Sequence, residues 1–395
     1  MAAIKTGLEV FLDDPPASLR GQRLGLLCNP ASVDGRLIHA RHRIEQAFPG
    51  QLKALYAPQH GFFAEKQDNM IESADRWDPA TGLPVFSLYG DTRTPTRAML
   101  DPIDALLVDL QDVGTRVYTF VYTLSHCMEA ARRYQKRVIV LDRPNPVGGR
   151  QIEGNLLAPD CASFVGRYPI PMRHGLTIGE LALMFNTDFG IGCDLEVVPL
   201  QGWERTMHFV QTGLPWVAPS PNLPTPVSAL VYTGQVIWEG TNVSEGRGTT
   251  QPFELFGAPF IEPGRLLDRL LEMIDESLLT GVMLRPVEFE PTANKWAGQA
   301  CRGFQLHVTD PKRYSPYALS LGLYQAVYHT YPDRFAYKPP PYEYETTRLP
   351  MDLILGDGRV RAGIEGGRPL SDILADWQAA LKAYAAATQR ILLYA

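Results

Sequence analysis

Short apolar runs separated by stretches of helical period dominate the first 150 residues. Arg23-Leu-Gly-Leu-Leu-Cys, Leu52-Lys-Ala-Leu-Tyr-Ala, Pro84-Val-Phe-Ser-Leu-Tyr, Ala105-Leu-Leu-Val-Asp-Leu and Arg137-Val-Ile-Val-Leu-Asp each read as a buried strand. Residues 37–48 and 122–134 read as helices between them. That alternation predicts βαβ units and a parallel, Rossmann-like α/β sheet covered on both faces. Four of the strands run into polar loops bearing Pro or Gly: Asn29-Pro30, Gln59-His60-Gly61, Gln111 to Arg116, and Asp142-Arg143-Pro144-Asn145. Ligands of open α/β sheets bind beyond the carboxyl ends of the strands, so these loops are expected to converge on one cleft.

The second half is less regular. A helix is expected over 177–185, with Thr177 and Glu180 forming a capping box. Another spans 262–279, where Leu266, Leu267, Leu270, Leu271 and Ile274 keep helical spacing. An irregular strand pattern over 281–308 and helices over 316–328 and 370–393 complete a smaller α+β domain. The expected division is 1–225 and 226–395, two domains being natural for 395 residues.

Residues 239–254 have neither period. Glu239, Asn242, Ser244, Glu245, Arg247, Thr249 and Thr250 are spaced by Gly240, Gly246 and Gly248, between apolar runs at 229–238 and 253–261. A solvated turn is the plain reading; a polar, glycine-spaced loop anchored between buried segments suits one wall of an active site.

Net charge is −6 and no basic tract occurs, which argues against nucleic acid or an anionic membrane as partner. No apolar run approaches the roughly 18 residues of a membrane span, and the N-terminus lacks the apolar core of a leader, so a cytoplasmic protein is expected. Cys28, Cys127, Cys161, Cys193 and Cys301 are too scattered for a disulfide framework or a zinc site. Neither Gly-x-Gly-x-x-Gly nor a Walker loop is present, so the sheet does not imply a dinucleotide cofactor.

Glu65, Asp68, Asp109, Asp112, Asp142, Glu239 and Glu245 stand at strand ends or in the candidate loops. A glycosidase needs two carboxyl groups, about 5 Å apart when retaining and about 6.5–9.5 Å when inverting. Any one of the seven could equally pair with Arg116, Arg143 or Arg247. His60 and His174 lack metal-ligand spacing, so no metal is expected, a metal-assisted hydrolase being a third reading. Tyr118 could offer a hydroxyl or a stacking face.

Six motifs together resemble the YbbC/NamZ family: Pro-Gln-His-Gly (58–61), Thr-Gly-Leu-Pro-Val-Phe-Ser-Leu-Tyr-Gly (81–90), Asp-Leu-Gln-Asp-Val-Gly-Thr-Arg-Val-Tyr-Thr (109–119), Leu-Asp-Arg-Pro-Asn-Pro (141–146), Pro-Ser-Pro-Asn-Leu-Pro (219–224) and Glu-Gly-Thr-Asn-Val-Ser-Glu-Gly-Arg-Gly-Thr-Thr (239–250). The resemblance implies a Rossmann-like domain, a smaller C-terminal domain and a site in the cleft between them. It also implies exo-acting release of N-acetylmuramic acid from peptidoglycan fragments, with no nicotinamide cofactor. In these muramidases the loop after the second strand reads Pro-Glu-His-Gly, and that Glu is the proposed catalytic residue. Gln59 stands there in this chain, and an amide neither gains nor loses a proton near neutral pH. Glu65 or Glu245 then becomes the candidate acid/base beside His60. Gln59, Asp109, Arg116, Tyr118, Asp142, Arg143, Glu239, Asn242 and Arg247 are the expected substrate contacts. One of the arginines would hold the lactyl carboxylate of muramic acid. The alternative is a non-catalytic carbohydrate- or muropeptide-binding protein that kept the cleft.

Overall fold

The computed structural model describes residues 4–68 and 70–395. Strands β1 (Leu24–Cys28), β2 (Leu52–Ala57), β3 (Arg76–Trp77), β4 (Pro84–Ser87), β5 (Ala105–Asp109) and β6 (Arg137–Leu141) occupy the first part. A small hairpin of β7 (Glu153–Leu156) and β8 (Pro171–Arg173) and then β9 (Leu195–Val198) follow. Among the described residues one sheet runs β3-β4-β2-β1-β5-β6-β9, parallel except for the edge strand β3. The five expected strands are its centre. β3 falls outside the expected strands: its two exposed residues have no apolar period to announce them.

Alternation in the buried strands feeds two cores. Leu106, Val108, Val138 and Val140 face the helices Phe120–Arg133 and Ile178–Thr187, while Ala105, Leu107, Ile139 and Leu141 face the helices Gly7–Asp13 and Ala40–Ala47. Thr177 caps its helix as expected, its hydroxyl accepting from the Glu180 amide while the Glu180 carboxylate accepts from the Thr177 amide.

The C-terminal part holds the antiparallel sheet β10 (Leu255–Ala258), β12 (Cys301–Val308) and β11 (Val282–Phe289), in the order β10-β12-β11, together with helices. Two long helices expected there are broken. The first stops at Met273, before a separate 3-10 turn at Glu276–Leu279, and the last divides at Trp377. Helix Pro226–Gln235 lies so close to helix Pro316–Thr330 that a Cβ on Gly234 would stand 2.0 Å from the Pro316 carbonyl oxygen. Arg116, fully buried, braces the two parts: its guanidinium donates to the carbonyls of Asn155, Ile170, Ile354 and Leu355. Among the described residues no helix is long and apolar enough to cross a membrane.

Candidate active site

The loops after β2 and β5 open onto a pocket of about 460 Å³, counting its mouth. Gln59 and His60 contribute from the first loop, and Tyr118 and Thr119 from the second. The far side comes from the C-terminal part: Tyr232, Glu239, Arg247, and Tyr342 with Glu343. The polar loop thus supplies a wall, and Gly246 and Gly248 show why glycine is needed there. Both have φ of +80°, and a Cβ on Gly248 would lie 2.4 Å from the Ala293 carbonyl oxygen.

Two buried carboxylates line the pocket, and their surroundings push them apart. Burial raises Glu239, but the charge and hydrogen bond of Arg247 (2.7 Å) and the Tyr342 hydroxyl (2.8 Å) outweigh it, and the group is held below its ordinary range. Glu343 is the opposite case. Burial and the charge of Glu239 raise it, against hydrogen bonds from the Tyr89 hydroxyl (2.7 Å) and the Gln59 side-chain amide (3.0 Å). Their surroundings thus shift the two carboxyl groups in opposite directions, Glu239 towards the charged form and Glu343 towards the protonated one. Gln59 is fixed from behind, its carbonyl accepting from the Thr119 hydroxyl at 2.8 Å. An amide suits this place because it donates to Glu343 and accepts from Thr119 at once.

The backbone is strained at the same spot. His60 (φ 77°), Glu343 (φ 45°) and Tyr344 (φ 68°) all adopt the left-handed conformation, which costs an L-residue about 1–2 kcal/mol each. Burial lowers the His60 imidazole to about 4, against the pull of its bond to the Lys66 carbonyl, so it is neutral in the pocket wall. Tyr118 lines the pocket edge-on to Tyr232.

The other expected residues lie elsewhere. The exposed Glu65 carboxylate accepts from the Phe63 amide and pairs with Arg76. Glu245 is buried outside the lining, between Lys295 (2.7 Å) and Arg247 (3.2 Å), where it anchors the arginine that faces Glu239. Asn242 holds the 334–336 loop through the Arg334 carbonyl and the Ala336 amide. Arg143 grips Asp109 through two nitrogens (2.5 and 2.9 Å), and Asp142 accepts from the Thr177 hydroxyl and the Gly179 amide. Arg143 lines a separate, smaller cavity with Gln111, Trp216 and the rest of the 214–217 segment. The four loops therefore divide between two spaces. His174 pairs with Asp112, and among the described residues no group of three or more His, Cys, Asp or Glu side chains could hold a metal.

Sequence reasoning passed over Tyr89, Lys295, Tyr342 and Glu343. The alternation Tyr342-Glu-Tyr-Glu after three prolines, between apolar stretches, was the signal for the last two.

Two family models match the chain: "Exo-beta-N-acetylmuramidase NamZ, N-terminal" over residues 24–227 and "Exo-beta-N-acetylmuramidase NamZ, C-terminal" over residues 230–394. The chain is 42% identical over 391 residues to the peptidoglycan β-N-acetylmuramidase NamZ of Bacillus subtilis (strain 168), covering 99% of this chain and 91% of that protein. Crystal structures of two DUF1343 family proteins from Bacteroides fragilis NCTC 9343 share the fold. One has a TM-score of 0.87 at 36% identity over all of both chains; the other has 0.76 at 28%, over 100% of this chain and 99% of its own.

Proposed function

Since the chain belongs to the NamZ family of exo-β-N-acetylmuramidases, we propose that it removes terminal N-acetylmuramic acid-type residues from peptidoglycan fragments, with Glu343 as its acid. The observation that carries this is the pair of buried carboxylates of opposite tendency in one pocket. Glu343 gives its proton to the glycosidic oxygen as the bond to the anomeric carbon breaks, and the bonding electrons leave with that oxygen. The ionised Glu239 faces the positive charge that develops on the sugar ring. Water then adds at the anomeric carbon, and its proton restores Glu343.

Gln59 and Thr119 orient the acid, and Tyr118 and His60 shape the sugar site. Arg247 is the cation at hand for a substrate carboxylate, held by Glu245 and Glu239. In this reading Glu65 and Glu245 give up the acid/base role to Glu343. The pocket is shared by the two parts of the chain, divided near residue 225. Five buried free thiols sit comfortably in a reducing compartment, which supports a cytoplasmic location.

The test is hydrolysis of a chromogenic β-N-acetylmuramide beside its N-acetylglucosamine counterpart. Wild type is expected to cleave the muramide, and Glu343→Gln to lower kcat by about 10²–10⁴-fold, as loss of a general acid does. Saturable binding without turnover by wild type would leave a carbohydrate-binding protein in place of an enzyme.

A further inference from the structure

We infer that Lys295 is a positioning residue for the reaction: it lies outside the lining of the pocket, and acts through Glu245 and Arg247 to hold Glu239 charged and in place against the sugar. This rests on the glycosidase reading above. Lys295 sits on the 290–300 connection between β11 and β12, which is stitched onto the polar loop. The Thr292 amide and hydroxyl both donate to the Gly248 carbonyl, at 2.8 Å each, and the Trp296 indole donates to the Asn242 carbonyl at 2.5 Å. On either side of the lysine, Asn294 and Trp296 adopt left-handed backbone (φ 67° and 59°), which persists where the surroundings fix it.

An ammonium has three N–H donors, and here they meet the carbonyls of Trp238 (2.7 Å) and Val243 (3.0 Å) and the Glu245 carboxylate (2.7 Å). The two carbonyls flank residues 239–242, so one cation pins both ends of the segment that carries Glu239. From the third contact runs a ladder of alternating charge: Lys295 to Glu245 Oε2 (2.7 Å), Glu245 Oε1 to Arg247 (3.2 Å), and Arg247 to Glu239 (2.7 Å). It contains two cations and two anions, so its buried charges compensate one another. Because Lys295 takes one oxygen of Glu245, Arg247 stays directed at Glu239 and available to a substrate carboxylate.

Glu239 responds to the far end of this ladder. Among the described residues it is faced by Arg247 on its own loop, Tyr232 on helix Pro226–Gln235, His60 after β2, Tyr342 and Glu343 from the last segment, and Lys295. Burial raises its carboxyl, and Arg247, Tyr342 and Lys295 lower it. The Lys295 ammonium is itself lowered by burial, sustained by the charges of Glu245 and Glu239 and opposed by that of Lys338. Without the ammonium Glu239 takes up a proton more readily. The acid side of the rate profile, where Glu239 must be ionised, then retreats to higher pH.

The test is the pH profile of kcat/KM on the chromogenic β-N-acetylmuramide. In Lys295→Gln the acid limb is expected to move up by about one pH unit, with the loss carried by kcat more than by KM. Lys295→Arg, which keeps the charge, should leave the limb in place. The double variant Lys295→Gln/Glu245→Gln removes one charge of each sign and should bring the limb back. An acid limb unmoved in Lys295→Gln, or moved equally in Lys295→Arg, would overturn the assignment while leaving the muramidase reading intact. A Lys295→Gln chain that does not fold, beside a double variant that folds with the wild-type limb or fails as well, makes the lysine a counter-ion of the fold and overturns it too. A wild type inert on the muramide sinks the muramidase reading itself, and the role of Lys295 with it.

Discussion

Replacing Gln59 by Glu puts the reading of Glu343 under direct stress. The Gln59 amide nitrogen lies 3.0 Å from Glu343 Oε1, both side chains being buried. A carboxylate in that place brings two negative charges to the same separation. At an effective dielectric constant of 20, Coulomb's law sets their repulsion at about 5 kcal/mol. Two such groups do not ionise together; they share one proton, and the second leaves only at higher pH. Thr119 can still donate to the new oxygen, so the fold has no reason to fail. The expected result is an active variant whose alkaline limb of kcat/KM, the loss of the acid's proton, moves up by at least one pH unit. Because the folded pair holds its proton more tightly than the unfolded chain, the stability cost grows as pH rises and nearly vanishes near pH 4. The assay is a pH profile on the chromogenic muramide, with denaturant unfolding at pH 5 and 8. An alkaline limb unmoved from wild type would refute the assignment of Glu343 as acid.

Two further predictions concern stability. Burial lowers His60 to about 4 from its ordinary 6.5, so the unfolded chain takes a proton that the folded one refuses, and stability falls as pH drops from 6.5 towards 4. At pH 5 this amounts to about 2 kcal/mol; His60→Asn, which tolerates the left-handed backbone, should lose about that much less between pH 7 and 5 in urea unfolding, and an identical slope would count against it. Gly234→Ala should destabilise by at least ~2 kcal/mol, because its methyl meets the Pro316 backbone; a variant made more stable, by the ~1 kcal/mol that alanine gains over glycine in a helix, would show that the two helices can separate freely.

The sheet was legible because its strands are buried on both faces, so Leu24–Cys28, Ala105–Asp109 and their neighbours stand out as continuous apolar runs. The loops at their ends could be named for the same reason. Which loops share a space could not, because residues far along the chain, 214–217 among them, complete the lining of the smaller cavity beside Arg143. Arg116 and Arg143 show a second limit. Sequence reveals a charge but not whether carbonyls or a carboxylate already occupy it, and here they do. Glu343 was hidden for a related reason: its tendency to keep a proton comes from burial beside Tyr89, Gln59 and Glu239, none of them near it in sequence. Gln59 looked like a missing acid when viewed alone, and becomes intelligible as a donor once Glu343 is opposite it.

Glu343 meets Gln59 across 284 positions of sequence, so the pocket is completed only by a late segment of the chain. A nascent chain that has emerged only as far as residue 340 carries the residues of the sheet, Gln59 and Glu239, but lacks Glu343, the acid proposed above. On that assignment, products that end before residue 343 are expected to be inert towards the polymer.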